Sequence, residues 1–165
     1  MNYKIIDDFL EKNLFYNIKN TLFNSEMPWF WRSKTTPNKK DSFYFTHSFY
    51  KDYKINSSLF EICIIPFLNQ LNCLSLIEVR ANLTVNRNKE YCSSYHTDYN
   101  DSRVTTSIFY LNNCDSETIL FKKNPIKIKS KENRILIFDA VIDHSAIYKQ
   151  NVDRRIILNF NYIKK

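Results

Sequence analysis

The sequence predicts a mainly β protein: a jelly-roll core of antiparallel strands with helices from its N-terminal part packed on it. Three observations predict it. From residue 74 onward, short runs rich in Ile, Val, Thr, Phe and Tyr follow one another, separated only by polar turns. No helical pattern intervenes between these runs, which removes parallel crossover units and leaves a sandwich or barrel. Ahead of them, Leu10, Leu14, Ile18 and Leu22 keep four-residue spacing, the mark of an amphipathic helix.

Taken in order, Tyr3–Ile6 is expected as a short strand, after which Asp7 or Asp8 caps the first helix. Residues 27–41 are polar, contain proline and carry Trp29 and Trp31; they read as a long loop whose tryptophans serve as core or lid aromatics. A second helix is expected from Ser58, with Glu61 completing a capping box and Pro66 kinking or shortening it. Strands are then expected at 74–85, 104–111, 119–122, 126–129, 134–138, 144–149 and 154–163. His47, amid Phe43, Tyr44, Phe45, Phe49 and Tyr50, reads either as a packed strand residue or as part of the pocket rim, the first being preferred. The 165 residues are expected to form one domain, with 1–73 as a helical front and 74–165 as the β core.

Composition narrows the chemistry. Thirteen Phe, eleven Tyr and two Trp allow a packed interior without cross-links. Cys63, Cys73, Cys92 and Cys114 include no CxxC pair and read as small core hydrophobes or stray thiols. No run of eighteen apolar residues exists, and Lys4, Asp7 and Asp8 interrupt the start, so the expectation is a cytoplasmic protein without a membrane span. The chain has no glycine at all. Phosphate-cradling loops need glycine for close backbone approach, so a Walker loop, a dinucleotide fingerprint and a kinase loop are excluded. Turns must use Asn and Asp, and Asn86-Arg87-Asn88, Asn100-Asp101 and Asn112-Asn113 fit that role. The net charge of +7 favours nucleic acid, but the lysines are scattered, with the densest runs at Lys39-Lys40, 122–131 and Lys164-Lys165. An Asn/Lys/Ile/Tyr-rich composition accounts for that excess more simply.

The three histidines are the informative residues. In His96-Thr97-Asp98 a histidine and a carboxylate stand two apart, and on a strand such residues point to one face and can reach one ion. His144 follows in a later strand. Two histidines and a carboxylate form the facial triad that holds Fe(II) and leaves three positions open, for a chelating 2-oxo acid and dioxygen. The far carboxylate of the acid needs a cation, and an arginine is its planar match. Arg154 and Arg155 follow on the next strand.

In these residues the sequence resembles the 2-oxoglutarate/Fe(II) oxygenases of the prolyl-4-hydroxylase-like group, over residues 76–162 and more loosely over 5–50. Tyr95-His96-Thr97-Asp98 resembles the family's HxD segment, and Thr106 to Asn112 its next strand, where the tyrosine that hydrogen-bonds 2-oxoglutarate would be Tyr110. Ile137-Phe138-Asp139 through His144 resembles the segment carrying the second histidine, and Arg155 to Tyr162 the closing strand. The resemblance implies a double-stranded β-helix core, with Fe(II) on His96, Asp98 and His144 and 2-oxoglutarate as co-substrate. Family members carry a polar residue four positions after the co-substrate arginine; from Arg155 this is Asn159, whereas from Arg154 it is Leu158, so Arg155 is preferred. Asn82 sits where the family often has a polar residue touching 2-oxoglutarate. Lys89-Glu90 and Ser145 stand where relatives carry glycine. Halogenating relatives replace the carboxylate with a small residue, so Asp98 points to hydroxylation of a peptidyl or small-molecule substrate, with dioxygen consumed. The alternatives are a nucleic-acid dealkylase of the same superfamily and a non-catalytic cupin-like metal-binding protein. Arg103 reads either as pocket mouth or as plain surface, and no oligomeric state is implied.

Overall fold

In chain order the elements are β1 (Tyr3–Ile6), α1 (Lys12–Phe23), β2 (Phe30–Arg32), β3 (Tyr44–Lys51), β4 (Lys54–Ile55), α2 (Phe60–Cys63), α3 (Ile65–Gln70), β5 (Cys73–Val85), β6 (Tyr91–Cys92), β7 (Val104–Tyr110), β8 (Glu117–Leu120), β9 (Ile126–Lys129), β10 (Arg134–Asp139), β11 (His144–Tyr148) and β12 (Arg154–Lys164). They come from a computed structural model, which describes residues 3–33, 43–149 and 151–165. Each strand expected beyond residue 74 forms, with ends moved by one or two residues. The front of the chain is richer in strand than its sequence suggests, because β2, β3 and β4 join the main sheet.

Two antiparallel sheets form the core. The larger runs β1-β10-β7-β12-β5-β3-β2, with β4 paired to β3; the smaller runs β6-β11-β8-β9. Strand alternation sorts their side chains into two layers. On β12, Ile156, Leu158, Phe160 and Tyr162 join a core shared with Val79, Ala81 and Leu83 of β5 and with Phe15, Ile18 and Leu22 of α1. Phe67 of α3 sits in the same layer, its ring centroid 4.8 Å from that of Phe109 and 4.9 Å from that of Phe160. The opposite faces of β7, β10 and β12 supply Ile108, Tyr110, Leu136, Phe138 and Ile157, which meet Leu120 and Ile128 of the smaller sheet. The helices thus cover one face of the large sheet, and the small sheet covers the other. A pocket opens in this second layer.

Local chemistry at the front differs from expectation. The cap of α1 is Glu11, whose carboxylate accepts from the Asn13 and Leu14 amides at 3.0 and 3.1 Å; neither Asp7 nor Asp8 caps it. Asp8 takes a left-handed φ of 50°, and Leu10 is held by the Asn133 side chain, which accepts from its N–H and donates to its carbonyl. The second helix splits at Pro66 into α2 and α3, and its cap residue is Leu59, without a side-chain bond. The hydroxyl of Ser57, and not Ser58, accepts from the Leu59 amide. Residues 30–32 of the expected loop are strand β2, because Phe30, Trp31 and Arg32 pair with β3; residues 34–41, including Lys39-Lys40, lie outside the described residues. Five of the seven left-handed residues are Asn or Asp, as a glycine-free chain requires. Asn88 is among them, but Asn100, Asp101, Asn112 and Asn113 are not. No helix among the described residues is long and apolar enough to cross a membrane.

Asp7 has a different task from the one expected. Its carboxylate receives Arg134 Nε at 2.6 Å and Lys131 Nζ at 3.0 Å, pinning the end of β1 to β10. The Arg134 hydrogen bond is the main reason its pKa falls to about 2. A depressed carboxylate stabilises the fold above the ordinary carboxylate range, and that contribution disappears as pH falls from about 4 through about 2. Asp7→Asn is therefore expected to lower Tm at pH 7 by a modest amount, since this half-exposed cluster is worth at most about 1 kcal/mol. The difference from the unaltered protein should shrink in melts as pH falls towards 2 and vanish only below it.

Candidate metal centre and its pocket

His144 opens β11 and pairs with Leu120 of β8, while His96 forms an isolated antiparallel bridge to His144. The HxD segment is therefore not a strand, as its sequence suggests; Asp98 lies in a bend after the bridge. The backbone N–H of each histidine bonds the carbonyl of the other at 3.0 and 2.9 Å, which brings the imidazole centroids to 4.3 Å.

Three ligand atoms converge. His96 Nε2 and His144 Nε2 each lie 3.9 Å from Asp98 Oδ1, and the three groups offer one ligand atom each within 4.8 Å of one another. The other side of each group is already committed. His96 Nδ1 faces the Ser94 carbonyl at 3.2 Å, and His144 Nδ1 faces the Ile142 carbonyl at 3.1 Å. A ring that donates from Nδ1 carries its lone pair on Nε2, the tautomer a metal needs. Asp98 Oδ2 is held by Thr106 Oγ1 and Asn159 Nδ2, both at 3.2 Å. Behind them Asn161 donates to Asn159 Oδ1 at 2.9 Å, and its own Oδ1 faces Thr106 Oγ1 at 2.8 Å. This polar ring fixes the carboxylate and leaves Oδ1 for an ion.

Protonation states favour the same use. Burial pushes the His144 pKa down, against the pull of Asp98, so the ring stays neutral. For Asp98, burial alone would raise the pKa; the neighbouring His144, the Arg80 guanidinium and the Asn159 amide outweigh it and hold the carboxyl below its ordinary range. A neutral imidazole and an ionised carboxylate are the metal-binding forms. The residues present fit a divalent cation.

The pocket around these atoms is lined by residues of both sheets, Tyr44 of β3 and Ile108 of β7 among them. Strand β5 contributes Arg80, Asn82 and Thr84, and β12 contributes Arg155, Ile157 and Asn159. From the small sheet come Thr118 of β8 and His144, Ala146 and Tyr148 of β11. Arg155 is buried (5% exposed), and Arg154 is not: its guanidinium lies outside, 4.9 Å from the Phe23 ring centroid. Arg155 gives Nε to Ser130 at 2.7 Å and Nη2 to Thr118 at 3.2 Å. Its Nη1 makes no hydrogen bond among the described residues, so the end-on fork is left for a carboxylate.

The remaining site expectations fare differently. Asn82 lines the pocket, its Oδ1 accepting from Thr46 at 3.3 Å. Asn159 lines it too, but its amide is spent on Asp98, which makes it a support for the triad. Tyr110 does not line the pocket. It is fully buried, and its hydroxyl donates at 2.9 Å to Oγ1 of Thr118, which does line the pocket. Arg103 is a surface residue forked onto Asp101, Trp31 is exposed, and Trp29 packs on the core. His47 is a packed strand residue, bonded to the Pro28 carbonyl and the Ser57 hydroxyl. Sequence reasoning missed Thr118, Ser130 and Arg80. Only Arg80 had a signal: Arg80, Asn82 and Thr84 alternate with Val79, Ala81 and Leu83, the pattern of a strand with one wet face.

No protein-family model and no curated protein sequence matches the chain. Solved structures do. A 2OG-Fe(II) oxygenase family oxidoreductase from Burkholderia pseudomallei superposes with a TM-score of 0.75 at 8% identity, covering 99% of this chain and 86% of that one. The chain has the fold of the 2OG-Fe(II) oxygenases. A Pseudomonas putida prolyl-4-hydroxylase shares this oxygenase fold with a TM-score of 0.73 at 10% identity, over 99% and 93% of the two chains. So does the epimerase SnoN from nogalamycin biosynthesis, solved with Fe3+, alpha ketoglutarate and nogalamycin RO, with a TM-score of 0.71 at 10% identity over 99% and 79%. The oxygenase fold therefore carries hydroxylases and an epimerase alike, and the large and small sheets here are the two halves of its double-stranded β-helix.

Proposed function

We propose that this chain is an Fe(II)- and 2-oxoglutarate-dependent oxygenase that hydroxylates a small-molecule or peptidyl substrate. The observation that carries the reading is the convergence of His96 Nε2, His144 Nε2 and Asp98 Oδ1 at the wall of a pocket that also contains the buried Arg155. Bound Fe(II) would supply coordination of the 2-oxo acid and dioxygen and the oxidising power to take a substrate C–H hydrogen.

The protein's own groups do the rest. His96, Asp98 and His144 would hold the ion through Nε2, Oδ1 and Nε2. Arg155 receives the far carboxylate of 2-oxoglutarate on its Nη1/Nη2 edge, while Ser130 and Thr118 keep the guanidinium in plane. Thr118 accepts from both Tyr110 and Arg155, so its own hydroxyl proton is free to point into the pocket. Tyr110 thus acts through Thr118. Ile108, set beside Asn159 by the β7–β12 register, and Ile157 give the pocket an apolar wall that excludes water. In the overall reaction one oxygen atom of dioxygen enters the substrate C–H bond and the other enters succinate, with release of CO2. Asp98 supports hydroxylation because its carboxylate fills the position that a halide would need.

The test is succinate formation from 2-oxoglutarate. Turnover is expected only when Fe(II) and 2-oxoglutarate are present together; a chelator should stop it and added Fe(II) should restore it. Metal binding without any 2-oxoglutarate consumption would instead favour a cupin-like binding protein.

A further inference from the structure

The iron and 2-oxoglutarate reading leaves one charged pocket residue without a task. Arg80 stands on the wet face of β5, and the β5–β12 register sets it beside Asn159, whereas Arg155 lies beside Thr84. The two arginines are therefore four residues apart along the sheet, roughly 13 Å between backbones. Arg80 is at the level of Asp98, and Arg155 is at the other end.

Its bonding is incomplete. Nη1 meets Glu78 Oε2 at a long 3.3 Å, and Glu78 is shared with Lys51 Nζ at 3.5 Å. Nε is fully buried and has no hydrogen-bond partner. Burial opposes its charge, yet Glu78 and Asp98 more than offset that, and the guanidinium stays protonated. A buried donor on a cation is costly to leave unpaired. No ligand reaches the enclosed Nε, but the side chain lines the pocket with 27% of its surface open, and Nη2 makes no hydrogen bond among the described residues. 2-Oxoglutarate would not take that edge, because one of its carboxylates would be at Arg155 and the other on the metal.

Resting on the oxygenase reading, we propose that Arg80 is the specificity-determining residue of this site and receives a carboxylate of the primary substrate. A carboxylate suits it better than a phosphate, since Asp98 and Glu78 close by would repel a second negative charge. The substrate C–H bond then lies between the metal and that carboxylate. The acid is one of two sources: a free small molecule or an acidic side chain of a peptide.

The experiment is ligand-observed NMR titration with two matched pairs: benzoate against benzamide, and Ac-Ala-Glu-Ala-NH2 against Ac-Ala-Gln-Ala-NH2. Zn(II) replaces Fe(II), and 2-oxoglutarate is held at saturation. In one pair the acid is expected to bind roughly tenfold tighter than the amide, and the pair that shows it identifies the source. Arg80→Gln should erase the preference and Arg80→Lys should keep part of it. Glu78→Gln should strengthen it several-fold by removing the competing carboxylate. No acid preference in either pair, or a preference that survives Arg80→Gln in folded protein, overturns the proposal. The ratio is also read on metal-free protein, with Arg155→Gln as the control for binding at the other arginine. A protein that never forms succinate thus still answers for Arg80.

Discussion

Asp98→Ala is expected to lower Fe(II) affinity by more than about a hundredfold and to reduce succinate formation to background. Three losses combine. The metal loses its only carboxylate among the three converging groups, Thr106 and Asn159 lose the acceptor they share, and Arg80 loses a neighbouring negative charge. The alanine variant also leaves the Asn159 amide without its acceptor, whereas Thr106 keeps Asn161 Oδ1, so a drop in stability of about 1 kcal/mol is expected with it. Asp98→Asn separates the two effects. The amide keeps the shape and one acceptor, so folding should be nearly preserved, while metal affinity should still fall because the charge is gone. Equilibrium metal binding and thermal melts on the two variants check this. A folded Asp98→Asn protein with unaltered iron affinity would remove Asp98 from the metal centre.

The second large effect concerns the co-substrate. Arg155→Ala is expected to raise the 2-oxoglutarate concentration needed for half-maximal turnover by about a hundredfold. Two charge-assisted hydrogen bonds contribute together about 3 kcal/mol, and each 1.4 kcal/mol is a factor of ten. Iron affinity measured without 2-oxoglutarate should change little, since Arg155 does not touch the triad. Arg154→Ala should leave the 2-oxoglutarate requirement within about twofold, because Arg154 is exposed and rests against Phe23. Reversal of the two results would exchange the arginines. Thr118→Val should fall between them: it removes the hydroxyl that joins Tyr110 to Arg155 while keeping the side-chain volume.

The strands were legible in the sequence because β-branched and aromatic residues cluster there and polar turns separate them. The preference for Arg155 was legible for a related reason. One face of β12 is Arg155, Ile157, Asn159 and Asn161, and the other is Ile156, Leu158, Phe160 and Tyr162, so only one of two adjacent arginines can face the pocket. Other features depend on partners distant in sequence. The segment 96–98 looks like a strand, but it has only His144 to pair with and forms one bridge. Glu11 outcompetes Asp7 for the cap because Arg134 and Lys131, more than a hundred residues on, claim Asp7. Tyr110 faces the right way on β7, yet it is Thr118 of the facing sheet, bonded to its hydroxyl, that lines the pocket. Nothing local to Thr118 or Ser130 announces a polar cluster around a buried guanidinium. Arg80 was visible only as a polar residue in alternation, and its orphaned Nε is a fact of three-dimensional packing.

In the proposed site one ion is held by three side chains, in a pocket whose arginine takes the far carboxylate of 2-oxoglutarate. An anaerobic crystal structure with Fe(II) and 2-oxoglutarate tests it most directly. The expected result is a single iron, located by its anomalous signal, about 2.1 Å from His96 Nε2, His144 Nε2 and Asp98 Oδ1, with 2-oxoglutarate chelating it and its far carboxylate on Arg155. Iron bound elsewhere, or 2-oxoglutarate with its far carboxylate on Arg80 in place of Arg155, would contradict the account.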